Sequence, residues 1–422
     1  MVKKKIAVIG GGAAGLMAAG EAAVTGGADV EVTLFEKNEK LGKKLIITGK
    51  GRCNVTNLCD INEFMRNVAT NGKFLYSALN YFSPRDCMDF FGGLGVRLKV
   101  ERGNRVFPES DKSFDIIDAL KKFINTNGVK IKFAKVQKIL AENGKITGLI
   151  ADRQYDFDSI IICTGGTSYK STGSDGDGYK FARDLGHTVA TLKPSLVPIE
   201  IREPFCAELM GLTLRNVKLT VFDDSDNEKS EKIKKKISDD FGEMLFTHFG
   251  VSGPLVLSAS SHIRHIGERN YTLNIDLKPA LSTEQLDKRI LSDFEKYKNK
   301  DFKNCLDDLL PKTLIPVFVK LSGIDPDKKV NEITRTERLN IVSLLKNFEL
   351  TVKKFRPIDE AIITCGGIDV REIHSNRMES KLVSGLYFAG EIIDVDAYTG
   401  GFNLQIAFAT GKLAGKSAGK EL

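Results

Sequence analysis

Three glycines, Gly10, Gly12 and Gly15, stand in the spacing GxGxxG, with Ala13 and Ala14 between the last two. The first of such a set permits a tight turn, the second lets backbone approach a pyrophosphate, and the third lets a helix pack on a strand. Amide hydrogens at that helix start, with the positive end of its dipole, favour a bound anion. Glu36 ends the next strand-like run, where a carboxylate can accept both hydroxyls of a ribose and would repel a 2′-phosphate; Lys37 follows it directly. These residues point to nucleotide binding.

The elements that must position them are legible nearby. Residues 5–9 are a short run rich in Ile and Val, residues 13–25 are small and helix-forming, and residues 30–35 alternate up to Glu36. Strand, glycine turn, helix and strand make the dinucleotide-binding βαβ unit of an α/β fold. Residues 129–139 and 144–151 read as strands of a smaller sheet, and 157–163 as another buried parallel strand. That last strand ends in Thr164, Gly165 and Gly166, a turn suited to lie over a pyrophosphate. Val136, read as part of the strand before it, suits either backbone contact with an adenine or a plain core position.

FAD and NAD share this unit, and the far end of the chain separates them. Residues 385–391, GLYFAGE, form an apolar strand finishing in Gly390 and Glu391, which would bring a carboxylate to a ribityl chain. Residues 399–405, TGGFNLQ, then open a helix, and Gly401, Asn403, Leu404 and Gln405 at its start would face the pyrimidine edge of a flavin and stabilise negative charge there. Together with the N-terminal unit this favours FAD over NAD. Residues 42–57, GKKLIITGKGRCNVTN, place Lys43, Lys44, Lys50 and Arg52 close together, and Thr48, Gly49, Gly51, Cys53 and Asn54 complete a loop expected to contact phosphate and flavin. Arg52 and Asn54 are expected beside the reactive face.

Other chemistries find no pattern. Cys53 and Cys59 have five intervening residues where disulfide reductases have four, and no histidine follows His374 to act as their base. The five histidines lack ligand spacing, so no metal is expected. No Ser, His and Asp arrangement is legible, and no general acid or base stands out, so the catalytic residues stay unassigned.

At 422 residues, 42% hydrophobic and 28% charged, the chain is long enough for two to four domains and has no apolar run able to cross a bilayer. Sixty-two basic against 55 acidic residues leave +7, which suits an anionic small molecule. Lys229, Lys232, Lys234, Lys235 and Lys236 are interleaved with acids and read as a solvated hairpin or loop, so no nucleic-acid partner is expected. Seven cysteines without CxxC suit a reducing compartment, and a cytoplasmic location follows, with no membrane partner and the oligomeric state open. Prolines 194, 198 and 204 mark a change of texture. The expected division is 1–193 for the first part of the nucleotide domain, 194–260 for a β-rich insertion, 261–345 for a helical cap, 346–365 for the insertion's return and 366–422 for the second part of the nucleotide domain.

Four blocks resemble the BaiN-like flavoproteins, also called the aminoacetone oxidase family of FAD-binding enzymes. They are GGGAAGLMAA at 10–19, TGKGRCNVTN at 48–57, GEMLFTHFGVSGP at 242–254 and MESKLVSGLYFAGEIIDVDAYTGGFNLQIAFATG at 378–411. Asn376, Arg377 and residues 396–398 depart from the family pattern. The resemblance implies a glutathione-reductase-like FAD-binding Rossmann domain, split in sequence, with an inserted β-rich, barrel-like domain and a small helical domain, and no separate NAD domain. It also implies C=C reduction in steroid-like substrates or amine oxidation. The expectation is an FAD-dependent oxidoreductase passing hydride through flavin N5 to or from a small organic substrate, with NADH or NADPH as an external donor. A flavin-dependent RNA-modifying or RNA-binding protein and an NAD-only dehydrogenase are the alternatives.

Overall fold

The computed structural model describes residues 3–224 and 234–420. It divides into two compact units, Met1–Ser195 with Ile358–Leu422, and Leu196–Pro357.

The first unit is built on five parallel strands in the order Leu386–Phe388, Ser159–Ile162, Lys4–Ile9, Val30–Glu36 and Lys130–Phe133. Ile6, Ala7 and Val8 are fully buried, as a parallel strand covered on both faces requires. The run expected as one strand over 129–139 is divided. Ala134 N–H turns back onto the Lys132 carbonyl at 3.1 Å, which ends the edge strand. The next strand, Lys138–Glu142, joins Lys145–Ile150 and Gln154–Asp156 in an antiparallel sheet. Val136 therefore lies in the connection and not in a strand, though it is buried.

Two helices, Ala13–Gly26 and Phe402–Lys420, run in the same direction against each other. Gly411, Gly415 and Gly419, four residues apart, line one face of the second helix. A Cβ on them would lie 2.4, 2.3 and 2.8 Å from the carbonyl oxygens of Ala14, Ala18 and Ala22. The seam is backbone against backbone, and no side chain fits within it.

Behind the sheet, His187 is fully buried, edge-on to Phe388 at 4.9 Å. Ser380 Oγ accepts from the Leu382 and Val383 amides, so its own proton goes to His187 Nε2 at 2.9 Å, and Nδ1 donates to Glu372 at 3.2 Å. Burial outweighs Glu372 and pulls the histidine pKa below its ordinary 6.5. The unfolded chain then takes up the proton first. This contribution to stability is complete above pH 6.5 and is lost as pH falls through the lowered folded value. Melting temperatures between pH 7.5 and 5 should fall in wild type more steeply than in His187→Gln, and equal slopes would remove His187 as the origin.

In the second unit, Ile199–Ile201, Gly250–Ser252, Lys235–Thr247, Thr213–Asp223, Tyr271–Asp276 and Phe348–Phe355 close into a barrel in that order. Closure removes sheet edges, and alternate residues such as Leu219, Val221, Leu273, Ile275 and Leu350 fill the interior. Tyr271–Asp276 lies within the range expected to be helical; its YTLNID alternation has the period of a strand and supplies a barrel wall. Capping boxes at Ser282 with Gln285 and at Thr334 with Glu337 start the helices Thr283–Lys296 and Arg335–Lys346 as their spacing predicts. Lys234 and Lys236 pair with Glu349 and Asp239; Lys229 and Lys232 lie outside the described residues. No helix among the described residues is long and apolar enough to cross a membrane.

Candidate functional site

The glycine turn leaves the central strand with Gly10 N–H on the Phe35 carbonyl at 2.8 Å. A Cβ on Gly10 would lie 2.5 Å from the Cys163 carbonyl, and one on Gly15 1.8 Å from the Gly10 carbonyl, so both are close approaches of backbone to backbone. Gly12 is different: a Cβ there would meet nothing within 4 Å. It sits at the N-cap of Ala13–Gly26, where no side chain caps the helix and no acid occupies the first turn. The orphan amides of that turn, including those of Ala13 and Ala14, are thus left for an anion.

Glu36 is buried beside the turn, one oxygen accepting from Gly11 N–H and the other from the backbone and side-chain amides of Asn38, all at 2.7 Å. The oxygen bonded to Gly11 keeps lone-pair capacity for a hydroxyl, whereas Asn38 fills the other. Lys37 turns elsewhere and pairs with Asp175 at 2.5 Å and Asp177 at 3.1 Å.

Further loops converge on this turn. Thr164 Cα would be 3.2 Å from a Cβ on Gly10, and Thr164 Oγ1 is buried without a partner. Gly165 is left-handed (φ +73°), and a Cβ on Gly166 would lie 2.7 Å from Glu391 Oε1. Gly390 donates to Thr410 Oγ1 at 3.0 Å, and a Cβ on it would sit 2.8 Å from that of Ala14. Lys44, from the short helix Lys43–Ile47, reaches Glu391 at 2.6 Å.

The basic loop meets the start of the last helix. Gly49, Lys50, Gly51 and Cys53 are all left-handed, an unusual run that at Lys50 and Cys53 costs about 1 kcal/mol each. Thr48 anchors it through its carbonyl, which accepts from Cys53 N–H at 3.0 Å. Burial pushes the Cys53 thiol up to about 12, so it is not a nucleophile at neutral pH. Asn54, with its amide oriented to satisfy its neighbours, donates to the Thr56 and Val106 carbonyls and accepts from Gly401 N–H at 3.0 Å.

Gln405 donates to the Phe82 carbonyl at 2.7 Å and accepts from Thr56 Oγ1 at 2.8 Å, and Asn403 clasps both backbone groups of Ala397. The side chains of Asn54, Asn403 and Gln405 are therefore fasteners holding a glycine-rich helix start. What remains for a ligand there is backbone, beside the half-buried Leu404. Arg52 is committed likewise: Glu101 and Asp111 hold its guanidinium, which lies 4.1 Å above the Phe107 ring. Lys99 and Arg52 in turn hold Asp111 below the usual carboxylate range.

Several residues here had no sequence signal. Ser168 and Thr364 donate to Glu391 from positions distant in the chain. Asp396, marked in the sequence only as a departure from the family pattern, is buried with Oδ2 on Ser195 Oγ at 3.0 Å and Oδ1 without a partner. The Gly411, Gly415 and Gly419 repeat did carry a signal, in its four-residue spacing.

Two helix starts without an acid in the first turn, an open approach at Gly12 and a carboxylate acceptor at Glu36 fit FAD. The chain is 32% identical over 421 residues, 98% of each sequence, to a 3-dehydro-bile acid delta(4,6)-reductase of Clostridium scindens. It is 30% identical over 410 residues, covering 96% of this chain and 95% of the relative, to a ribosomal RNA dihydrouridine synthase of Haemophilus influenzae. Its fold is similar to that of a 3-ketosteroid delta1-dehydrogenase from Sterolibacterium denitrificans, with TM-score 0.50 at 13% identity, covering 99% of this chain and 100% of that one. Residues 4–417 match the family described as HI0933-like protein Rossmann domain. The chain belongs to that family of FAD-binding oxidoreductases and is an FAD-dependent oxidoreductase.

Proposed function

We propose that the enzyme reduces a polarised carbon–carbon double bond in a small organic substrate, with electrons drawn from NADH or NADPH. The observation that carries the cofactor side is the convergence of the Thr164–Gly166 and Gly390 turns on the glycine turn at residues 10–15, which Gly12 leaves open. The full-length likeness to a bile-acid reductase supports the substrate class. When bound, the flavin supplies the two-electron carrier that no side chain provides. Gly10, Gly12, Ala13, Ala14 and Gly15 would hold the pyrophosphate, Glu36 the adenosine ribose, and the backbone of residues 401–405 the flavin edge, where the helix dipole favours negative charge. Val136 would lie near the adenine, and Thr164, Gly165 and Gly166 would cover the pyrophosphate. Arg52 would shape the loop that carries Gly49, Gly51 and Asn54.

An RNA substrate is the second reading, supported by relatives named ribosomal RNA dihydrouridine synthase and by the net charge of +7. Against it, Lys37, Lys44, Lys218, Lys234 and Lys236 each pair with an acid, so much of the positive charge is locally neutralised. Purified protein should show flavin absorption, bleach anaerobically with NADH or NADPH, and recover its colour when a conjugated steroid ketone is added. Colour restored only by uridine-containing RNA would move the assignment to the second reading. Bleaching by an amine alone would make the enzyme an oxidase, and a colourless protein that takes up no FAD would sink the cofactor assignment.

A further inference from the structure

Glu391 and the diphosphate of FAD would share one cleft, and two anions in a partly dry site repel unless a cation lies between them. Lys44 is that cation. Its Nζ lies 2.6 Å from Glu391 Oε2, with the two side chains 22% and 19% exposed. Ser168 Oγ accepts from Lys44 at 2.8 Å and donates to Glu391 Oε1 at 3.0 Å, closing a ring of three side chains. Thr364 N–H adds a bond to the same Oε1 at 2.9 Å. Gly166 makes room for the ring, since a Cβ there would press on both Thr364 Oγ1 and Glu391 Oε1.

What the ring leaves unused is informative. An ammonium has three protons, and Lys44 spends two of them on Glu391 and Ser168. A carboxylate can accept about four bonds, and Glu391 accepts three. The pair therefore offers one donor and one acceptor side by side. Their complement is a phosphate oxygen next to a hydroxyl, which is the chemistry of a polyol phosphate.

We propose that Lys44 and Glu391 act as one neutral recognition unit for the ribityl phosphate of FAD. Lys44 is a positioning residue, whose charge makes the Glu391 carboxylate compatible with a neighbouring phosphate. This rests on the FAD reading above.

The test is a double-mutant cycle on FAD affinity, read by fluorescence titration of the apoprotein, with melting curves to establish folding. Lys44→Met leaves a mostly buried carboxylate unpaired beside the phosphate and should weaken FAD binding on the order of a hundredfold. Glu391→Gln should cost about tenfold. The double variant should bind FAD more tightly than Lys44→Met alone, because the repulsion is gone. FMN, which keeps the ribityl phosphate, should follow FAD, whereas riboflavin, which lacks the phosphate, should be nearly indifferent to Lys44→Met. An equal penalty for Lys44→Met with and without Glu391→Gln overturns the proposal. Should Lys44→Met fail to fold, Lys44→Arg must keep FAD and Lys44→Gln must lose it; equal binding by the two overturns it as well. Wild-type protein that binds no FAD refutes the cofactor reading itself, a result visible before any variant is compared.

Discussion

Gly12→Asp should give a protein that folds, melts higher than wild type as apoprotein, and holds no FAD. A Cβ at this position meets nothing within 4 Å, so the substitution fits. Its backbone, at φ −86° and ψ −165°, already has the extended shape of an N-cap residue. The new carboxylate would accept from the bare amides of Ala13–Gly26 and face the positive helix end, a gain of about 1 kcal/mol. Those are the amides a pyrophosphate needs. Two unit charges 4 Å apart repel by about 4 kcal/mol at an effective dielectric of 20, roughly a thousandfold in affinity. Melting curves with and without FAD separate the two effects, and retention of FAD by Gly12→Asp would show that the phosphates bind elsewhere.

Gly415→Ala should do the opposite and damage the fold first. In an exposed helix this change gains about 0.5–1 kcal/mol, because alanine loses less backbone entropy. Here the methyl carbon would lie 2.3 Å from the Ala18 carbonyl and 3.0 Å from Glu21 Cβ. Neither helix can yield without moving its whole backbone, so the cost should reach about 3 kcal/mol, the upper range for overpacking. Gly92→Ala is the control: it is exposed in the helix Pro84–Gly93, and its Cβ would meet nothing within 4 Å, so it should stabilise. Urea unfolding of the two variants should shift the midpoint in opposite directions. A neutral Gly415→Ala would mean that the helices are not held by backbone contact.

The elements legible in the sequence are those whose pattern is local. Gly10, Gly15 and Glu36 belong to one βαβ unit, where strand, turn and helix are neighbours in the chain, so spacing alone places them. The capping boxes at Ser282 and Thr334 are local for the same reason. Side-chain direction was not legible. Asn403, Gln405 and Arg52 stand beside the right backbone, yet each is drawn to a partner that only the fold supplies: Ala397, Phe82 and Glu101. Lys37 is drawn off by Asp175 in the same way. Tyr271–Asp276 was hidden among helical periods because one short alternation gains meaning only when five other strands need a wall.

The glycine seam also sets a length. Gly411 rests on Ala14, at the very start of the first helix, whereas the second helix begins at Phe402, nine residues (411 − 402) earlier. Ala14 is one residue into its helix, so at 1.5 Å per residue the second N-terminus leads the first by eight residues, about 12 Å, with both positive ends pointing the same way. The two helices cannot slide to change this, because any intermediate register would press a side chain onto a carbonyl. The protein therefore carries a rigid gauge between two anion-attracting ends. Under the proposed cofactor reading, a mononucleotide would engage only one of them, whereas a ligand whose phosphates and electron-accepting ring lie that far apart would engage both.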